Sequence, residues 1–111
     1  MLPKKFRLPA EYFRKQYQKG KKTRGRYGMF VVSDNEITNP RFGFVVSKKI
    51  GSAVIRNRMT RLLRVVVMEV VNEKNLSNLN KDFQYIAFEF CDKKSLLKEE
   101  ISLQIERSIN D

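Results

Sequence analysis

Apolar and polar positions alternate along this chain with two different periods, and the changes between them divide it into elements. Pro9 suits a first helical turn and Gly20 suits a helix stop, so residues 10–19 read as a short helix. Phe13 and Tyr17 are four apart and share one face of it. Residues 19–26 follow as a connector carrying Lys19, Lys21, Lys22, Arg24 and Arg26. Residues 27–32 are strand-like, 33–40 form a loop rich in Asp, Asn, Thr and Pro, and 41–49 form a second strand. In that strand Phe42, Phe44 and Val46 point one way, and Arg41, Gly43, Val45 and Ser47 the other. The two strands are expected to pair as a hairpin with a long loop.

The period then changes. Gly51 or Ser52 opens the longest helix, which reaches about Asn72. Its valines are poor helix formers, so periodicity rather than propensity carries the assignment. Ile55, Met59, Leu62, Leu63, Val66 and Val70 fall on one apolar face. An Asn-rich loop over 72–81, a third strand over 82–90 and a last helix over 94–109 complete the chain. Leu97, Ile101, Leu103, Ile105 and Ile109 give that last helix a less regular stripe. Strands and helices alternate irregularly, which predicts an α+β fold. No repeat or linker divides the chain, so residues 1–111 are expected to form a single domain.

Composition narrows the function. The net charge is +11, and hydrophobic residues make up 41% of the chain, too many for a disordered basic tail. A domain this basic points to a polyanion partner rather than a small-molecule substrate. The charge is uneven: up to Arg64 there are 17 Lys or Arg against 3 acids, a net of +14, and from Val65 there are 6 against 9, a net of −3. There is no His, which removes the common general base and most zinc sites. Carboxylate pairs such as Glu69/Glu73 and Glu99/Glu100 read as solubilising charge, so no catalytic residue and no metal site is expected in the protein. The single Cys91 fits a reducing compartment and reads as a small apolar residue near a strand end. No apolar stretch follows the basic N-terminus as in a secretory signal, and runs such as Val65–Met68 are far too short for a bilayer. A cytoplasmic protein without a membrane partner is expected.

The chemistry concentrates between Lys48 and Arg64, where six basic residues occur without one acid. On a helical wheel Asn57, Arg61 and Arg64 lie roughly opposite the apolar stripe, with Arg56 and Arg58 flanking them. Lys48 and Lys49 precede the helix N-terminus, which itself favours anions. The planar guanidinium fork suits phosphate oxygens, and the row suits a folded phosphate backbone better than a single nucleotide. A charge-rich face can simply be solvated, but here like charges repel with nothing in the segment to offset them. Phe13 and Tyr17 admit two readings, core contacts or a stacking surface for single-stranded bases; spacing alone favours the core. The Gly25-Arg26-Tyr27-Gly28 run has the GxxG form of a KH loop but leads into a strand, not a helix.

The run from Arg41 to Arg58, with Val46-Ser47-Lys48-Lys49, Gly51, Ala53-Val54 and Arg56-Asn57-Arg58 at its heart, closely resembles the hallmark region of the bacterial ribonuclease P protein family. Arg7-Leu8, Phe13, Tyr17 and Gly20 resemble that family's first helix, so the likeness covers nearly the whole chain. The resemblance implies a two-layer α+β domain, a central mixed sheet with flanking helices in the order α-β-β-(β)-α-β-α. It also implies a left-handed crossover around the long basic helix, against the general rule. It implies the protein subunit of a ribonucleoprotein whose RNA removes the 5′ leader of precursor tRNA by magnesium-dependent hydrolysis, with Mg2+ held mainly by the RNA and substrate. Lys48, Lys49, Arg56, Asn57, Arg58, Arg61 and Arg64 would then meet the catalytic RNA. Phe13 and Tyr17, with Tyr27 and Phe30 from the first strand, would line the cleft for the leader. The chain departs from the pattern at Thr60, where the family usually has Lys, and at Val65 to Met68, where it has polar or basic residues. The alternative is a ribosomal or ribosome-assembly protein that binds RNA without any part in cleavage.

Overall fold

The computed structural model describes residues 2–110; Met1 and Asp111, part of the expected 1–111 unit, lie outside the described residues. Two short 3-10 turns, Lys4–Phe6 and Ala10–Tyr12, lead into α1 (Phe13–Lys19). The strands β1 (Lys21–Arg24), β2 (Gly28–Asp34) and β3 (Arg41–Val45) follow, then α2 (Ala53–Glu73), β4 (Lys81–Ala87) and α3 (Lys94–Asn110). This is the expected α+β arrangement, a mixed four-stranded sheet with flanking helices.

The sheet order is β1-β2-β4-β3. β4 pairs antiparallel with β2, from Gly28 opposite Ala87 to Asp34 opposite Lys81, and parallel with β3, from Arg41 opposite Asp82 to Val45 opposite Ile86. The expected hairpin between the two early strands is therefore absent. The later strand inserts between them, a long-range pairing that no local pattern encodes. β2 instead forms a hairpin with β1, inside what reads from sequence as a basic connector. Its alternation is short, with only Thr23 buried, and its lysines suit an exposed sheet edge. β3 ends at Val45, four residues earlier than expected. Its partner β4 runs only one residue beyond the Val45–Ile86 pairing level, and the chain then turns, with Ile50 N–H donating to Ser47 O (3.0 Å).

α2 begins and ends by identifiable means. Gly51 has φ 153°, a backbone conformation that L side chains rarely adopt. Ser52 caps the helix by accepting from Ile55 N–H (3.4 Å). At the other end Asn75 adopts a left-handed conformation, and Leu76 N–H returns to Val71 O (2.9 Å). The buried stripe is Met59, Leu63, Val66, Val67, Val70 and Val71, while Ile55 and Leu62 are half-buried at its margin. On α3 the stripe is Leu97, Ile101, Gln104, Ile105 and Ser108, and Leu103 is exposed instead. Gln104 takes that place because its amide donates to Thr23 O (3.1 Å) and Gly28 O (3.0 Å), tying α3 to the β1–β2 hairpin.

These two helices cover one face of the sheet and enclose the core with Phe30, Phe42, Phe83 and Tyr85. Phe83 stacks on Phe42 (centroids 5.0 Å) and meets Phe30 edge-on (5.6 Å). Tyr27 and Phe30 therefore belong to this core and not to a leader cleft. The pleat of β2 turns Phe30 and Val32 toward α2 and α3, and leaves Met29 and Val31 for the other face. Cys91 is buried at the core's edge, as its small apolar character suggests.

Among the described residues the Tyr85 hydroxyl has no hydrogen-bond partner, and burial, aided by the Glu100 carboxylate, pushes the phenol well above its ordinary value. Tyr85→Phe is expected to stabilise the fold by about 1 kcal/mol, because it removes a desolvated donor. The measurement is a urea midpoint that rises at constant slope.

Candidate nucleic-acid interface

α2 buries one face and presents the other, where Asn57, Arg58, Arg61 and Arg64 are exposed as the wheel predicts. Lys48 and Lys49 are exposed on the turn before the helix. Arg56 is half-buried, and its guanidinium donates to Gly51 O (3.2 Å), bracing the turn that carries the two lysines. Thr60 bonds its hydroxyl back to Arg56 O (2.8 Å), so it adds no outward donor.

The electrostatics of this face differ from the rest. Among the described residues no ion pair engages Lys48, Lys49, Arg56, Arg58, Arg61 or Arg64. Several acids are taken up elsewhere: Glu69 by Lys94 and Lys98, Glu73 by Lys98, Glu106 by Lys74 and Asp34 by Lys81. Hydrogen bonds from Lys94 and Lys98 hold the Glu69 carboxyl below its usual range, and those that Lys98 donates to Glu73 and Glu69 raise the lysine. The α2–α3 seam is thus neutralised internally, while the Arg face has no ion pair among the described residues. That face divides over the crest of the helix. Arg58 and Arg61, with Asn57, Leu62, Val65 and one acid, Asp92, line an open hollow of about 690 Å³. Arg64 turns the other way, into a groove of about 430 Å³ shared with Arg7, Leu8, Phe44 and Phe13.

Phe13 leads to a second feature on the opposite face of the sheet. The cross-strand register puts Lys22, Val31, Gln84 and Gly43 in one row on that face, and Arg24, Met29, Ile86 and Val45 in the next. α1 covers only the first row. Its Gln16 is buried, and the amide nitrogen lies 3.0 Å from Val31 O, 2.8 Å from Asp82 O and 3.2 Å from Ser33 Oγ, pinning the helix to β2 and β4. Phe13 lies so close over Gly43 that a Cβ there would overlap its ring, which is why this row needs glycine. Tyr17 is 41% exposed. With Phe13, Arg14, Gln18, Val45 and Gln84 it lines a hollow of about 390 Å³ between helix and sheet. Half-buried Phe13 packs on the sheet and also walls this hollow.

Sequence reasoning missed Arg14, Gln18, Met29, Gln84 and Ile86 as cleft residues. Phe13 and Tyr17 were signalled, and strand alternation set Val45 on the face opposite Phe42. Arg41 is not part of either surface: Asp82 grips it through two hydrogen bonds of 2.8 Å and raises its pKa, and the Tyr12 ring lies 5.1 Å away. Among the described residues no three His, Cys, Asp or Glu side chains come together as a metal site, and no helix is long and apolar enough to cross a membrane.

The profile of the family described as Ribonuclease P matches residues 2–101. A ribonuclease P protein component from Syntrophomonas wolfei is 46% identical over 70 residues, covering 62% of this chain and 59% of the relative. One from Bacillus cereus is 38% identical over 92 residues, covering 81% and 77%. A solved Staphylococcus aureus RNase P protein superposes with a TM-score of 0.64 at 27% identity, over 95% of this chain and 93% of that one.

Proposed function

The chain belongs to the bacterial ribonuclease P protein family, and from that premise we propose that α2 binds the catalytic RNA while the cleft beside α1 holds the 5′ leader of precursor tRNA. The observation that carries this reading is the join between the two surfaces. Arg64, on the basic face, and Phe13, on the cleft wall, line the same groove. An RNA docked on α2 and a single strand in the cleft would meet there, around one helix and one ring.

The division of labour follows from the side chains present. Arg58, Arg61 and Arg64, with Lys48 and Lys49, would neutralise phosphates where two RNAs approach each other. Asn57 would donate and accept among them. Phe13 and Tyr17 would stack bases of the leader without reading their identity. Fixing the substrate in this way lowers the entropy cost of reaching the cleavage geometry. Mg2+, held by phosphates of the RNA partner and substrate, would supply the activated water and stabilise the leaving oxygen. Among the described residues Glu69, Glu73 and Glu106 are engaged by lysines at the α2–α3 seam, and Asp34 by Lys81.

The test is reconstitution. With a bacterial ribonuclease P RNA, the protein is expected to restore accurate 5′ cleavage of precursor tRNA at magnesium concentrations where the RNA alone is slow. Alone, it is expected to cut nothing. A chain that neither binds nor activates that RNA, but binds ribosomal RNA tightly, would be a ribosomal or assembly protein instead.

A further inference from the structure

The sheet face that carries the cleft continues past α1 to an end that the stacking residues above do not reach. β1 sends Lys22 and Arg24 to the α1 side of the sheet, two residues and so about 7 Å apart along the strand. Each lies over an aromatic ring. Lys22 Nζ is 4.6 Å from the Tyr17 ring centroid, and the Arg24 guanidinium carbon is 5.0 Å from that of Phe88. The same arrangement thus occurs twice along one strand edge, once at α1 and once beyond it.

Phe88 follows the end of β4 and donates its N–H to Tyr27 O (2.7 Å), which anchors its backbone to the β1–β2 hairpin. Its ring stays out of the core and is 38% exposed. Between the two platforms runs the second cross-strand row. Met29 and Ile86 form its apolar floor, and an Arg24 guanidinium nitrogen lies 4.0 Å from Met29 Sδ. A chain leaving Tyr17 along the strand direction crosses that floor and meets Phe88 next.

We infer that Arg24 and Phe88 form a second stacking platform for single-stranded RNA, taking leader nucleotides further from the cleavage site than those at Phe13 and Tyr17. The inference rests on the leader reading of the cleft proposed above. An aromatic face accepts any base, and the adjacent guanidinium suits the phosphate that follows it. RNA is favoured over an acidic protein segment because the platform is continuous with the cleft floor and repeats the Lys22–Tyr17 arrangement.

The experiment uses the holoenzyme and precursor tRNAs whose leaders lengthen one nucleotide at a time. For the wild type, affinity is expected to rise in two stages. Phe13→Ala should remove the first stage. Phe88→Ala should leave short-leader affinity unchanged and remove only the later stage, about fivefold to a hundredfold, the range for losing one base–aromatic stack. Phe88→Trp should keep it. Arg24→Ala should lower the salt slope for long leaders by about one, whereas Phe88→Ala should not. Wild-type affinity of Phe88→Ala at every leader length, with Phe13→Ala still weakened, would overturn the platform alone. A loss that also appears with leaderless tRNA would overturn it as well, since it would report the fold. A wild-type holoenzyme indifferent to leader length would overturn both the platform and the cleft reading.

Discussion

Phe83→Ala is expected to be the most costly single truncation in the protein, lowering its stability by about 3–5 kcal/mol. Phe83 is fully buried on β4, the strand that holds β2 on one side and β3 on the other. Its ring stacks on Phe42 from β3 and meets Phe30 from β2 edge-on, so one side chain links three strands beneath α2 and α3. Removing it leaves a cavity whose walls are themselves held by the strand ladders and cannot close freely. Domains of this size are stable by about 5–15 kcal/mol, so the loss takes a large share. Urea unfolding monitored by circular dichroism measures it directly. A loss under about 1 kcal/mol would show that Phe30 and Phe42 collapse into the gap. The cleft should suffer with the fold, because Gln84 and Ile86 project from the same strand to the opposite face.

The second large effect is on RNA and leaves the fold intact. The triple change Arg58→Ala, Arg61→Ala, Arg64→Ala is expected to reduce the slope of log affinity against log salt for the catalytic RNA by about three. Affinity should fall roughly 10²- to 10³-fold near 0.1 M salt, and the difference should fade toward 1 M. All three side chains are exposed, and no ion pair among the described residues engages them, so thermal unfolding should not move down. The matched control neutralises Lys74, Lys94 and Lys98. Their charges are already met by Glu106, Glu69 and Glu73, so the RNA salt slope should stay close to wild type. Equal slopes for the triple arginine variant and the wild type would mean that this face meets only solvent.

Much of α2 was legible in advance. Its start at Ser52, its end near Glu73 and its exposed Asn57, Arg61 and Arg64 all follow from a period of 3.6 and a run without acids. Its buried stripe lies partly toward Val67 and Val71, with Ile55 and Leu62 left half-buried at the other margin. The opposite case is β1. Three of its four residues are Lys or Arg, so charge masks a strand whose only inward side chain is Thr23. Leu103 fails for a related reason: an apolar residue lost its place to Gln104, whose amide satisfies two carbonyls that a leucine would leave bare.

By itself the sequence determined the elements that repeat locally, the charge of the first 64 residues and the chemistry of the helix that displays part of it. It also determined that Phe42 and Val45 oppose each other across a strand. Only the tertiary structure decided which face of the sheet is core and which is cleft. It placed Tyr27 and Phe30 under α2 and α3, brought Gln84 beneath α1, and set β4 between β2 and β3. The physical reason is that a period of two separates a strand's side chains into two faces but carries no label for either. The label comes from whichever helix packs there, through contacts between residues far apart in the chain.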